Sequence, residues 1–453
     1  MRKLMSKLAR NFEPFMFVMV MASGISSNLL YSFPFEGHWL RVCSYIMFGV
    51  ACLIFIVLQV YMFVHAYAVI KASSFGHYFT RYYANAQHGP FWGAYPMGLA
   101  TIINYLAFLA QDEAKGTGNA KRLIVLAYAL WWFDVLLSLL TAWGISFLIW
   151  QKYDLANKDL GCYASSGQKF AAESLKSILV LAVVPLVVAS ATVGKFTMTE
   201  IFRTYFHRRI QLMNIVLTVL ILFHALVFVF IIITIYFWSL YVNKIPPMTQ
   251  VFSMFLILGP LGQGSYSGLL IGENIQQYVQ LYYPVGQNGN DEMLIKVVPW
   301  FFKIFFLLLA LTLISVGYFF TIICFTSILS YWKKKEEAGD EIKRIYTFHR
   351  GWLAMTFPTG TMALGNREIY DLYNQYVPLA AFHYMGAIYA GICICWTIIC
   401  LSMIFLQSII TPIYCRCTEK LDVVDMFASS EKYTEDDSNI QESESALDYR
   451  RLA

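Results

Sequence analysis

Charge is what this sequence has least of. Only 13% of its 453 residues are Asp, Glu, Lys or Arg, against roughly 25% in a soluble globular chain. So few charges cannot clothe a water-facing surface when 58% of the residues are hydrophobic, and long apolar runs make the chain an integral membrane protein. The net charge is +5, and the basic residues sit at loop ends rather than in one stripe, which argues against nucleic acid as a partner. HExxH, GxSxG, paired CxxC and Walker sequences are all missing, so no common catalytic constellation is present and the chain does not read as an enzyme. The run GPLGQG at 259–264 superficially matches a nucleotide fingerprint but lacks the strand before it and the amphipathic helix after it. No loop is long enough for the soluble domain of an ATP-driven pump. The nine cysteines follow neither a disulfide nor a zinc spacing, and no metal or cofactor is expected. Cys52, Cys324, Cys393, Cys395 and Cys400 lie in apolar runs and read as small buried hydrophobes. Cys415 and Cys417, after the last run, are free thiols or palmitoylation sites. Arg2, Lys3, Lys7 and Arg10 precede a hydrophobic stretch without a small-residue cleavage site, which predicts an uncleaved first span.

What is present is an alternation. Apolar runs predict ten membrane spans near 15–31, 39–70, 91–110, 123–150, 177–194, 211–243, 249–272, 297–332, 352–365 and 383–411. Odd spans are short, and even spans are long enough that they must tilt or protrude. The long ones, such as VLTVLILFHALVFVFIIITIYFW, are nearly pure Leu, Ile, Val and Phe. The short ones hold the helix breakers and small polar groups: Ser23, Ser27, Pro96, Thr101, Asn104, Pro185, Ser190, Pro260, Gln263, Ser265, Thr356, Pro358 and Thr361. YPMGLAT around Pro96 echoes FPTGTMA around Pro358, each with an aromatic before the proline and a glycine two after it. This is an internal repeat of hairpins, one arm broken and one smooth. Smooth helices tolerate lipid, whereas small residues and prolines want helix neighbours or water. The expected fold is therefore all-α: ten transmembrane helices in five helical hairpins, with an inner ring of five broken helices around a central pore and an outer ring of five long ones. The expected divisions are a basic cytoplasmic segment at 1–14, the transmembrane domain at 15–411, and a cytoplasmic, mostly disordered acidic tail at 412–453. Lys and Arg concentrate in the segments that place both termini inside, with the cluster from Lys195 to Arg209 as the dissent.

The cores of the short spans contain no Asp, Glu, Lys, Arg or His. A lining of hydroxyls, amides and backbone N–H groups at helix breaks attracts small anions and releases them. Cation filters usually add acidic rings, and proton-coupled carriers relay through buried carboxylates or histidines. These residues are accordingly the candidate anion path. Phe357 and Tyr95, each before a repeat proline, are either gating rings or packing. Lys303, near the outer end of its span, either snorkels to the interface or raises anion concentration at the outer mouth. Asp134 and His224 read as structural partners within the long spans.

The segments WGAYPMGLATIINYL at 92–106, IYFWSLYVNKIPPMTQVF at 235–252, TFHRGWLAMTFPTGTMALGN at 347–366 and the ending SALDYRRLA resemble the fungal sulphite efflux pumps of the tellurite-resistance/dicarboxylate transporter family. That family also includes fungal malic acid permeases and plant slow anion channels. The resemblance spans essentially the whole chain. It implies five hairpins around a pore in a plasma-membrane homotrimer, sulphite or bisulphite as substrate, and sulphite tolerance as the cellular role. It also implies that Phe357 matches the pore-blocking phenylalanine of the anion channels. The competing readings are a proton-coupled carrier for malate or another dicarboxylate, marked by a buried acid or base on the inner helices, and a membrane receptor.

Overall fold

The computed structural model describes residues 12–35, 37–85, 88–151, 177–246, 250–283, 292–333 and 348–407. All secondary structure among them is helical, and nine helices are long and apolar enough to cross a membrane. Only a helix or a closed barrel satisfies its own backbone in hydrocarbon, so unbroken apolar runs fold as helices there. The helices are α1 (Pro14–Tyr31), α2 (His38–Ala72), the short α3 (Phe75–Tyr82), α4 (Gly89–Glu113), α5 (Gly118–Gln151), α6 (Ser177–Thr197), the short α7 (Glu200–Tyr205), α8 (Arg208–Asn243), α9 (Val251–Tyr282), α10 (Glu292–Lys333), α11 (350–373) and α12 (Ala380–Phe405). The chain divides into two units, residues 1–400 and 401–453. Of the second, the described part is the end of α12 and residues 406–407. The expected tail at 412–453 lies outside the described residues, as does most of the expected basic segment at 1–14.

The ninth expected span, at 352–365, is part of α11, which is a helix but not one of the nine found by length and hydropathy. It runs on to Tyr373 through Arg367, Glu368 and Asp371, and these charges lower its hydropathy. The short and long helices separate cleanly by burial. The apolar windows of α1, α4, α6 and α9 are 78, 72, 89 and 100% buried, whereas that of α2 is 11% buried and those of α5, α8, α10 and α12 are 33% buried.

The packing partners follow the same division. Among the short helices α1 packs on α4, α4 on α6, α6 on α9, α9 on α11, and α11 on α1. Each long helix lies against the short one before it: α2 on α1, α5 on α4, α8 on α6, α10 on α9. Gly386 of α12 sits against the Ala363 carbonyl and Arg367 backbone of α11. Glycine permits the closest of these approaches. A Cβ at Gly262 of α9 would fall 2.5 Å from the α11 backbone at Thr361 and Met362, and one at Gly24 of α1 would fall 1.9 Å from Thr101 Oγ1 of α4. In lipid such close backbone packing supplies the van der Waals contact that holds helices together.

The expected helix breaks are corrected by a shared local feature. Each short helix opens in a 3-10 turn, at Pro14–Phe17, Gly89–Gly93, Ser177–Leu179, Val251–Ile257 and Arg350–Met355, and continues without interruption as α-helix, α4 alone among them closing in a π-helical turn at Leu109–Glu113. Pro96, Pro260 and Pro358 are each third in their α segments. Changing from i+3 to i+4 bonding leaves an N–H outside the ladder, and a proline near that point gives up nothing. The helices change from 3-10 to α winding there instead of opening. Pro185 lies deeper, sixth in its α segment.

Candidate functional site

Two small cavities lie among the short helices, and no long helix lines either. Each leaves about 20 Å³ open to the centre of a water, room for about one water-sized group. The first is formed near the amino ends of the helices by residues including Phe15, Phe91, Leu181, Leu256, Leu353 and Pro358, and its lining is apolar. The second is formed farther along the same helices by Asn28, Thr101, Asn104, Lys195, Gln263 and Tyr266, with apolar neighbours. Phe357 belongs to the walls of both, is the one residue they share, and is 3% exposed. Phe357 thus adjoins both an apolar chamber and a polar one.

The polar chamber is rich in unused hydrogen-bonding capacity. Asn28 Nδ2 donates to the carbonyls of Gly24 at 2.8 Å and Thr101 at 2.9 Å. Those two bonds fix the amide, and its Oδ1 is buried without a partner. Asn104 Oδ1 and Gln263 Oε1 are likewise buried without partners. The Lys195 ammonium lies 5.4 Å from the centre of the Phe108 ring and has no carboxylate within ion-pair distance among the described residues. The expectation of a wholly uncharged lining is corrected here. It stopped the fifth span at residue 194, and α6 continues through Lys195 to Thr197.

Of the sequence-derived candidates, Phe357, Thr101, Asn104, Gln263 and Pro358 meet around the two cavities. The others lie off their walls. Ser23 and Ser27 donate to carbonyls of their own helix, Met19 at 2.8 Å and Gly24 at 2.7 Å. Thr356 bonds the Leu353 carbonyl, and Thr361 bonds that of Pro358. Ser190 and Ser267 join α6 to α9 at 2.7 Å. Ser265 is at the α9–α11 contact, 3.2 Å from where a Cβ on Gly365 would stand. Pro96, Pro185 and Pro260 are buried in their helices. Apart from Ser265, whose Oγ is buried without a partner, such hydroxyls bond helices to themselves or to one another because hydrocarbon offers no alternative.

Two expectations are overturned. Tyr95 does not face the cavities; its ring packs on Phe17 and Phe55, and its hydroxyl accepts a hydrogen bond from Gln59 Nε2 of α2 at 2.5 Å. Lys303 neither snorkels nor offers a free charge. It is 3% exposed, pairs with Glu273 at 3.0 Å, and is flanked by the rings of Trp300, Tyr373 and Tyr376. Asn28, Lys195 and Tyr266 were missed. Helical spacing held a partial signal, since Thr101, Asn104 and Phe108 recur at intervals of three and four. Asp134 has no structural hydrogen bond: both its oxygens are buried without partners. His224 accepts one from Trp143 Nε1 at 2.9 Å. Outside the spans, His349 caps α11 by accepting from the Gly351 N–H, and burial holds its pKa below the ordinary histidine value.

Nine helices long and apolar enough to cross a membrane, with the short ones buried and lining two small cavities, define a multi-pass membrane protein. Residues 11–405 match the voltage-dependent anion channel family, SLAC1, and the chain belongs to that family. It is 50% identical to the sulfite efflux pump SSU1 of Saccharomyces cerevisiae over 98% of each chain. It is 28% identical to the sulfite efflux pump SSU1 of Candida albicans, over 88% of this chain and 74% of the relative. A third relative of the same name, from Arthroderma otae, is 22% identical over 91% of this chain. The family is one of channels and efflux pumps, not of enzymes.

Proposed function

We propose that this chain exports sulphite or bisulphite across the plasma membrane and so confers sulphite tolerance. The observation that carries the reading is the 50% identity, over nearly the whole of both chains, to a protein named as a sulfite efflux pump. The five short helices form a ring around the transport axis, with the long helices outside them. The closed cycle of short-helix contacts supports this, as do two cavities lined by those helices alone. Phe357 is the gate that separates the chambers. Both termini are cytoplasmic, the polar chamber faces outward, and three copies assemble in the lipid bilayer, each with its own pathway. A cell interior negative by 100 mV drives each anionic charge outward with about 2.3 kcal/mol, so a gated passive path exports sulphite without ATP.

A second reading, a proton-coupled dicarboxylate carrier, has one observation in its favour. Glu368, on a short helix, is buried, at 8% exposed. Flux in liposomes of the purified chain separates the two. Export predicts sulphite flux that follows membrane voltage at equal pH on both sides. Flux that requires a proton gradient whatever the voltage would overturn passive export, and transport of malate in preference to sulphite would establish the carrier.

A further inference from the structure

The polar chamber pairs one cation with a fixed acceptor, and the combination restricts what it can hold. Lys195 contributes a single positive charge. Several other charged groups at that end of the helices are paired with one another: Glu273 with Lys303, Arg367 with Asp371 at 3.0 Å, Asp112 and Glu113 with Arg41 at 3.5 Å, and Glu200 with Lys115 at 2.8 Å, while Arg208 lies against the rings of Tyr278, Tyr282 and Tyr283. Glu368 is buried and in no ion pair among the described residues. A second negative charge in the chamber would have only one ammonium, that of Lys195, to meet it.

The hydrogen-bonding inventory points the same way. Lys195 and the amide groups of Asn104 and Gln263 can donate to an oxyanion. Asn28 cannot, because both its N–H groups are spent on Gly24 and Thr101. Its Oδ1 is a buried acceptor that can be satisfied only by a donor. Asn104 Oδ1 and Gln263 Oε1 are buried acceptors without partners as well, and an anion without a proton offers none of the three a donor, at a cost of about 1–3 kcal/mol for each oxygen left orphaned. The chamber's size limits the ligand to a compact ion.

Resting on the anion-export reading above, we propose that this chamber binds a small, singly charged oxyanion that still carries its proton, such as hydrogen sulphite. Lys195, Asn104 and Gln263 hold its charged oxygens, and its O–H donates to Asn28 Oδ1. The doubly charged form and proton-free halides are bound less well.

The reversal potential of the wild-type full chain in planar bilayers tests this without any mutation. With a tenfold sulphite gradient, equal pH on both sides and an impermeant cation, a singly charged permeant ion gives about 59 mV and a doubly charged one about 30 mV. A value near 59 mV supports the site, and one near 30 mV overturns it. Lys195→Gln should raise the half-saturating sulphite concentration at least tenfold. Asn28→Leu should lower the ratio of sulphite to chloride conductance several-fold, and an unchanged ratio in a folded variant would overturn the role of Oδ1. Calorimetry on the purified chain distinguishes the two readings. Saturable sulphite binding without current would keep the site and sink export, whereas current at about 30 mV would keep export and sink the site.

Discussion

The two chambers are built by the same five helices and differ in chemistry. Before Phe357 the walls are apolar, with Phe15 and Phe91 edge to face at 5.1 Å. Beyond it they carry Lys195 and amide groups whose oxygens are left without partners. A narrow apolar constriction stops ions because water leaves it, whereas a cation with oriented amides gives an anion a resting place. On the proposed reading the helices divide the work along their length, with exclusion on one side of the ring and recognition on the other.

The largest expected effect breaks the polar chamber. Gln263→Glu is nearly isosteric and puts a carboxylate beside the anion. At about 5 Å and an effective dielectric near 20 the repulsion is about 3 kcal/mol, so sulphite flux per folded molecule should fall on the order of 100-fold. Undiminished flux would place Gln263 away from the pathway. Removing the partition comes next. Phe357→Ala should raise basal anion flux about tenfold, and unchanged or lower flux in a stable variant would reduce the ring to packing. Wetting the apolar chamber is milder: Leu181→Asn should raise basal conductance about threefold, while leaving the half-saturating concentration alone if recognition belongs to the other side. The smallest effect tests the contrast from outside. Tyr95→Phe removes the bond from Gln59 and should cost about 1 kcal/mol of stability, seen as a lower unfolding temperature, with flux per molecule unchanged. A clear change in gating would return Tyr95 to the pathway.

Tyr95 and Phe357 also show how far a repeat can be read. Both precede a proline, and both are second in their α segments. The repeat marked where each helix passes from 3-10 to α winding, not a break, and said nothing of the helical phase. In α4 the cavity face runs through Met97, Thr101, Asn104 and Phe108, and Tyr95, two residues before Met97, is turned about 200° from it. In α11 the same face passes through Leu353, Phe357 and Leu364. Hydroxyl-bearing residues were over-read for a related reason. A serine in an apolar helix has a carbonyl of its own helix within reach, so its presence does not imply water. Lys195 and Glu368 were under-read because the apolar runs end before the helices do.

The alternation of smooth and interrupted runs was sufficient by itself to determine an all-helical membrane chain and to separate the buried short helices from the exposed long ones, because hydrocarbon accepts only helices that satisfy their own backbone and leaves small residues to pack on each other. Which side chains face the two cavities was decided only in the tertiary structure. That choice depends on the rotation of each helix about its axis, set by contacts such as Gly262 on the α11 backbone and Gly24 on Thr101, between residues far apart in the chain.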